Sequence, residues 1–261
     1  MVPGIPARLL TFGFEHEITM TQNIYDNPEF FAGYGQLDRS KIGLAGMAEW
    51  PALRALLPDM KNKRVVDLGC GYGWFCRWAL NAGARDVLGI DVSEKMLARA
   101  RSEPGRDGII YQRSDLETLM LPEAAFDVAY SSLVVHYVEN LERLFGVIHR
   151  ALLPGGSFVF STEHPIYMAP RRPEWQIDSE GHKTWPLDAY LIEGPRSTNW
   201  LAPGVIKQHR MMGTTLNLLI RTGFVLRHVE EWRPSDQQIA ERPEFAEELE
   251  RPMFLFVAAT R

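Results

Sequence analysis

The stretch Val65-Val66-Asp67-Leu68-Gly69-Cys70-Gly71-Tyr72-Gly73 runs from an apolar, β-branched segment into three alternate glycines. Arg64 to Leu68 reads as a short buried strand with a carboxylate at its end. Trp74 to Ala82 reads as a helix with Phe75, Trp78, Ala79 and Ala82 on one face. The glycines lie in the turn between them, where the absence of a Cβ lets a backbone adopt positive φ and come close to a ligand.

Strand, glycine turn and helix is a nucleotide-binding arrangement, and the third glycine position distinguishes its users. Dinucleotide enzymes place that glycine where this chain has Trp74, whose indole would obstruct close helix–strand and pyrophosphate approach. Asp67 would repel a pyrophosphate and suits a ligand carrying a positive amino group, such as S-adenosylmethionine. Asp91 follows Gly71 by twenty residues, at the end of the next strand, where a carboxylate can accept hydrogen bonds from both ribose hydroxyls.

Outward from the loop, apolar runs alternate with helical patterns, the signature of a parallel sheet covered on both faces. Strands are predicted over Asp86 to Asp91, Ile109 to Gln112, Phe126 to Ser131 and Ser157 to Thr162. Helices are predicted after Ser93 to about Arg101, over Asn140 to Leu152 and over Met211 to Thr222, with breaks at Pro104-Gly105 and Leu153-Pro154-Gly155-Gly156. Two further strands, Phe224 to Trp232 and Met253 to Thr260, complete the count. Glu163 to about Arg210 reads as an irregular insert rich in proline and tryptophan, far longer than the usual connection in such folds.

The 261 residues, 46% hydrophobic, are enough for one main domain with elaborations, and a net charge of -5 gives no reason to expect a polyanionic partner. Nucleic acid is therefore not expected. Two cysteines, Cys70 and Cys76, cannot make a disulfide framework and point to a reducing compartment. No signal sequence or membrane span is read, so the protein is expected in the cytoplasm, with residues 1–20 a poorly ordered extension and Met20 an alternative start.

The ordered series DLGCGYG at 67–73, GIDVS at 89–93, SDLE at 114–117 and FDVAYSSLVVHYV at 126–138 resembles the motifs of class I S-adenosylmethionine-dependent methyltransferases, over roughly Leu53 to Phe160. The resemblance implies that Asp67, Gly69, Cys70 and Gly71 line the methionine end and that Asp91 holds the ribose. It also implies that Asp115 and Leu116 flank the adenine, with Val92 and Met96 against its other edge, and that Ser131 contacts the methionine part. Taken singly, Met96 and Leu116 read more readily as core residues than as ligand contacts, and their position beside the pocket narrows that preference without reversing it.

For the acceptor, an Asp/Asn-Pro-Pro-aromatic tetrad typical of nucleobase amino-methyltransferases is replaced by Ser131-Ser132-Leu133-Val134. His136 is the first candidate for a general base or acceptor-orienting group, against a purely structural histidine. Glu163 and His164 form a second pair, against a helix cap or loop hydrogen bond. In the insert, Trp200-Leu201 and Lys207-Gln208-His209-Arg210, with Trp185 and Tyr190, could cover the pocket and present cations to an acidic acceptor; a solvated loop face is the plainer reading. Tyr25, Phe30, Phe31 and Tyr34 form an aromatic cluster suited to a lid or to ordinary packing. No metal site is expected, because no His/Cys/Asp set has zinc spacing.

The fold expected is α/β: a Rossmann-like seven-stranded sheet, mostly parallel with the last strand antiparallel, helices on both faces and an insert after the fifth strand. The antiparallel strand is implied by the resemblance, which is closest to quinone-biosynthesis-like methyltransferases, and allowed by a short connection after Trp232. Residues 1–52 are read as an extension with lid helices, and 53–261 as the methyltransferase domain with its insert at about 163–210. The function expected is methyl transfer from S-adenosylmethionine to a small-molecule acceptor, by a monomer or homodimer. The rivals are a non-catalytic S-adenosylmethionine-binding regulator and a nicotinamide-dependent oxidoreductase, the latter opposed by Trp74 and by the lack of a Tyr-x-x-x-Lys pair.

Overall fold

A computed structural model describes residues 21–104 and 107–261. The expectations for residues 1–20 and for the break at Gly105 lie outside the described residues. The main sheet contains β1 (Arg64–Leu68), β2 (Asp86–Asp91), β3 (Ile109–Arg113), β4 (Phe126–Ser132), β5 (Leu152–Glu163), β10 (Val225–Glu231) and β11 (Phe254–Thr260). Their order is β10-β11-β5-β4-β1-β2-β3. β1 to β5 are mutually parallel, and β11 is antiparallel to both neighbours. The chain is thus the expected mostly parallel, seven-stranded Rossmann-like sheet.

Period-two alternation divides the core between the two faces. Phe158 and Phe160 of β5, with Leu255 and Val257 of β11, pack against Leu144, Phe145 and Ile148 of α6 (Leu141–Ala151) and Leu218 and Leu219 of α8 (Met212–Arg221). Val159, Phe254 and Phe256 face the other way, with Val65, Val128 and Tyr130. They meet Phe75, Cys76 and Ala79 of α4 (Trp74–Asn81) and Trp50 and Leu53 of α3 (Trp50–Ala55). The boundary read at residue 52 falls inside α3, whose buried Trp50 and Leu53 belong to this core. Upstream lie α1 (Pro28–Tyr34) and α2 (Asp38–Lys41). α5 (Glu94–Ser102) starts where Ser93 accepts from the Met96 N–H, and α6 where Asn140 accepts from the Arg143 N–H.

Three expectations change. The Leu153-Pro154-Gly155-Gly156 turn is a loop-out within β5, where the ladder jumps from Phe126 opposite Leu152 to Val128 opposite Ser157. The insert is not irregular throughout. After α7 (Pro165–Met168) and the short pair β6 (Gln176–Ile177) and β7 (Lys183–Thr184), β8 (Gly194–Trp200) and β9 (Ala202–His209) form an antiparallel hairpin. The connection after Trp232 is not short either: it contains α9 (Asp236–Glu241), opened by a Ser235/Gln238 capping box, and a 3-10 segment over Pro243–Leu249. No helix among the described residues is long and apolar enough to cross a membrane.

Candidate active site

Strand order reverses between β1 and β4, and in open α/β sheets the crevice beyond the strand ends at such a reversal is where ligands bind. One cavity of about 310 Å³ opens there, within the size range of small-molecule sites. Gly69 and Gly71 after β1, Asp91 and Val92 at the end of β2, and Leu133 and Val134 after β4 line it. Met96, Asp115 and Leu116 flank the β2 side, while His136 and Glu163 stand on the β5 side. Residues expected to meet the cofactor and two of those expected to meet the acceptor, His136 and Glu163, therefore share one cavity.

The glycine loop is held from the β2 side. Asp91 accepts from the Gly71 N–H at 2.8 Å through Oδ2 and from the Ser93 N–H at 2.9 Å through Oδ1. Burial pushes its carboxyl up to about 6, against the hydrogen bonds, which pull it down. Gly69, at φ +80°, has Val134 so close that a Cβ would lie 2.2 Å from its Cγ2. Beside Gly71 a Cβ would meet nothing within 4 Å, so that peptide is open to a ligand. A carboxylate at the wall, an accessible glycine backbone and the apolar Val92, Met96 and Leu116 form a donor and surface set that fits a nucleoside with an extended tail.

Three expected cofactor residues support the loop from behind and do not line the cavity. Asp67 is 2% exposed and accepts from Cys76 Sγ at 3.2 Å; burial pushes its carboxyl up to about 7. Cys70 packs in the same core, its thiol pushed up to about 11 by burial. Ser131, fully buried, donates to the Leu68 carbonyl at 2.9 Å, and its neighbour Ser132 reaches the cavity instead. Asp115 lines the cavity but already accepts from the Thr21 N–H and Oγ1 at 2.9 and 2.7 Å, and from the Glu117 N–H at 2.9 Å. The segment from Thr21 continues across the cavity, where the Gln22 side chain pairs with the backbone of Gly204 and Ile206 in the hairpin.

On the acceptor side, His136 Nδ1 accepts from the Glu163 backbone N–H at 3.4 Å and lies 3.3 Å from Thr162 Oγ1. A backbone N–H only donates, so the neutral ring carries its proton on Nε2. That atom meets no hydrogen-bond partner among the described residues, and the residue lines the cavity. Burial, then the nearby Lys207 and Arg210 charges, push His136 well below its ordinary value, so it is neutral at physiological pH. In this tautomer Nε2 is a donor.

The other expected histidines are elsewhere. His164 caps α7, its Nδ1 accepting from the Ile166 N–H at 3.1 Å and its Nε2 meeting Glu231 at 2.9 Å. His209 is buried with Nε2 on the Tyr190 carbonyl at 2.8 Å. The insert's cations are also engaged. Lys207, 3% exposed, forms an ion pair with Glu163 and sits 5.1 Å from the Trp200 ring centre, while Arg210 donates to the Val138 and Glu139 carbonyls. They present no free charge to an acidic acceptor. Trp185 stacks on Tyr167 away from the cavity.

The roof combines Tyr25 and Tyr34 from the N-terminal segment with Tyr137 and Trp200, packed edge to face with Phe30. Phe31 packs outside, against Tyr72. Arg39, unremarked in the sequence, also lines the cavity; one nitrogen donates to the buried Glu49 at 2.8 Å. No local pattern marks Arg39, because its place depends on how α2 folds over the crevice.

The chain is similar in sequence and fold to known methyltransferases. The family model described as a methyltransferase domain matches residues 66–160. The solved structure of an S-adenosylmethionine-dependent methyltransferase from Mesorhizobium loti is 65% identical, covers 84% of this chain and 100% of its own, and superposes with a TM-score of 0.81. A structure from Listeria monocytogenes is 37% identical, covering 82% of this chain and 98% of its own, with a TM-score of 0.75. Over 124 residues, 48% of each chain, the malonyl-[acyl-carrier protein] O-methyltransferase of Pectobacterium atrosepticum is 36% identical. This chain is an enzyme whose cofactor is S-adenosylmethionine, and it belongs to the S-adenosylmethionine-dependent methyltransferases.

Proposed function

We propose that the enzyme methylates a small molecule held between the glycine loop and the β8–β9 hairpin. The observation that carries this reading is one cavity of about 310 Å³, shared by Gly69, Gly71 and Asp91 on one side and by His136, Glu163 and Trp200 on the other. The roof residues Tyr25 and Tyr34 line the same cavity, which supports a compact acceptor.

In this reading Asp91 accepts from ribose hydroxyls while still holding the Gly71 and Ser93 amides. Val92, Met96 and Leu116 pack against the base, with Asp115 at its edge. Arg39, with donors to spare, receives the carboxylate of the amino-acid tail. Asp67, Cys70 and Ser131 act indirectly, by fixing the loop from the core side. Bound S-adenosylmethionine supplies an electrophilic methyl group on a sulfonium. The chain's contribution is chiefly positioning: His136 donates from Nε2 to orient the acceptor, and the aromatic roof excludes water.

The test is incubation with methyl-labelled S-adenosylmethionine and a cell extract separated by mass. Label is expected in the low-mass fraction only; label confined to protein or nucleic acid would overturn the reading.

A further inference from the structure

The acceptor side of the cavity has a charge pattern that selects against one class of substrate. Among the described residues, Lys207, Arg210, Arg196 and Arg251 are each held by other groups, and none of them lines the cavity. Lys207 is committed to Glu163 and to the face of Trp200. Arg210 is committed to two backbone carbonyls. Arg196 donates to the carbonyls of Ala169, Ala189 and Ile192. Arg251 lies 4.3 to 5.0 Å from the ring centres of Tyr167, Trp175 and Trp185 and pairs with Glu248. Arg39, the one Lys or Arg among the described residues that lines the cavity, is paired with Glu49 beneath the N-terminal roof.

What faces the acceptor is of the opposite kind. Glu163 presents a carboxylate to the cavity with its charge balanced from behind by Lys207, which is itself almost sealed. His136 presents a neutral N–H, and Tyr137 and Trp200 present flat rings. An anionic acceptor would meet the Glu163 carboxylate with no cation of the described residues lining the cavity on that side, and a cationic one would compete with Lys207 for a charge already balanced. A neutral molecule with an O–H or N–H has a partner at each end: its hydrogen for Glu163, a lone pair for His136.

Resting on the methyltransferase reading above, we propose that the acceptor is an uncharged molecule with a protic oxygen or nitrogen nucleophile, and that the Glu163–Lys207 pair excludes carboxylate acceptors. Glu163 is the catalytic residue and Lys207 the positioning residue that holds it. The acceptor's oxygen or nitrogen forms the new bond to the methyl carbon as the carbon–sulfur bond breaks and sulfur keeps that electron pair. The acceptor's proton passes to the Glu163 carboxylate and on to water.

The test uses the full-length protein saturated with S-adenosylhomocysteine and three probes on one ring, phenol, aniline and benzoate, with binding read by ligand-observed NMR titration. Phenol and aniline should bind at least about tenfold more tightly than benzoate, a discrimination within the cost of one like-charge contact. Glu163→Gln leaves Lys207 unpaired and should raise benzoate affinity about tenfold. Adding Lys207→Met to that variant should abolish the gain. If Glu163→Gln does not fold, Lys207→Met alone is used: it bares the carboxylate, and the benzylammonium ion should gain a similar factor. Benzoate binding as tightly as phenol to the unaltered enzyme, absence of the predicted gain, or no binding by any probe would overturn the proposal. Failure of S-adenosylhomocysteine itself to bind would instead overturn the cofactor reading on which it rests.

Discussion

Replacing Asp91 by Asn tests the central assignment, because the substitution preserves shape and alters only charge and hydrogen-bonding capacity. Asp91 now accepts from Gly71 and Ser93 through its two oxygens. Asparagine has one acceptor oxygen, so one amide loses its partner and faces an NH2 group instead. Losing a hydrogen bond to a charged group costs about 1.5–3 kcal/mol. If the glycine loop as seen here is the binding-competent form, that cost appears as roughly 10- to 150-fold weaker S-adenosylhomocysteine binding by calorimetric titration. Any bonds lost to the ribose add to it. Thermal unfolding without ligand separates loop effects from loss of fold. A folded variant that binds within about twofold of the unaltered protein would refute both the ribose role and the loop-holding argument.

Other outcomes follow from packing and charge. Burial lifts Asp67 from 3.8 to about 7, so between those values the folded chain holds a proton that the unfolded chain releases. Stability then falls as pH rises through that window, and Asp67→Asn should flatten the slope, checked by urea unfolding at about pH 5 and about pH 8. Asp91, lifted to about 6, is a better acceptor when ionised, so S-adenosylhomocysteine affinity should rise with pH through about 6; a pH-independent affinity would count against the ribose assignment. Gly69→Ala combines a positive φ with a Cβ 2.2 Å from Val134 and should weaken cofactor binding at least about tenfold; adding Val134→Ala should recover part of the loss, because only the clash is relieved. Arg251→Met removes the cation from its three-ring cage, a loss on the order of 2 kcal/mol that should lower the midpoint of thermal unfolding by about 5 °C.

Between Arg64 and Glu163 the sequence was legible because local signals and tertiary need coincide: buried strands are apolar runs, and Ser93 and Asn140 stand where helices begin. The β8–β9 hairpin escaped for a physical reason. β8 reads Gly-Pro-Arg-Ser-Thr-Asn-Trp, with little apolar alternation, and its tight turn is made by Leu201 at φ +59°, a residue that carries no turn signal. α9 does carry a local signal in Ser235-Asp236-Gln237-Gln238, a capping-box pattern. Within the site, the residues contributed by strand ends were legible because topology brings strand ends together. Whether Ser131 or Ser132 reached the cavity depended on the pleat, and the tautomer of His136 on the Glu163 amide across the β4–β5 junction. Neither is a property of a linear pattern.

The placement of β11 bears on the order in which the molecule can assemble. β10 comes first in the chain but lies outside β11 in the sheet, so it has no docking partner until β11 has threaded between it and β5. Until then the β5 edge stands open, with Phe158, Val159 and Phe160 along a bare row of amides and carbonyls. A second copy can offer its own β11 to that row, which makes the insertion step the point where strand exchange and aggregation compete with folding. Substitutions that slow β11 docking should therefore lower soluble yield at high expression more than they lower equilibrium stability.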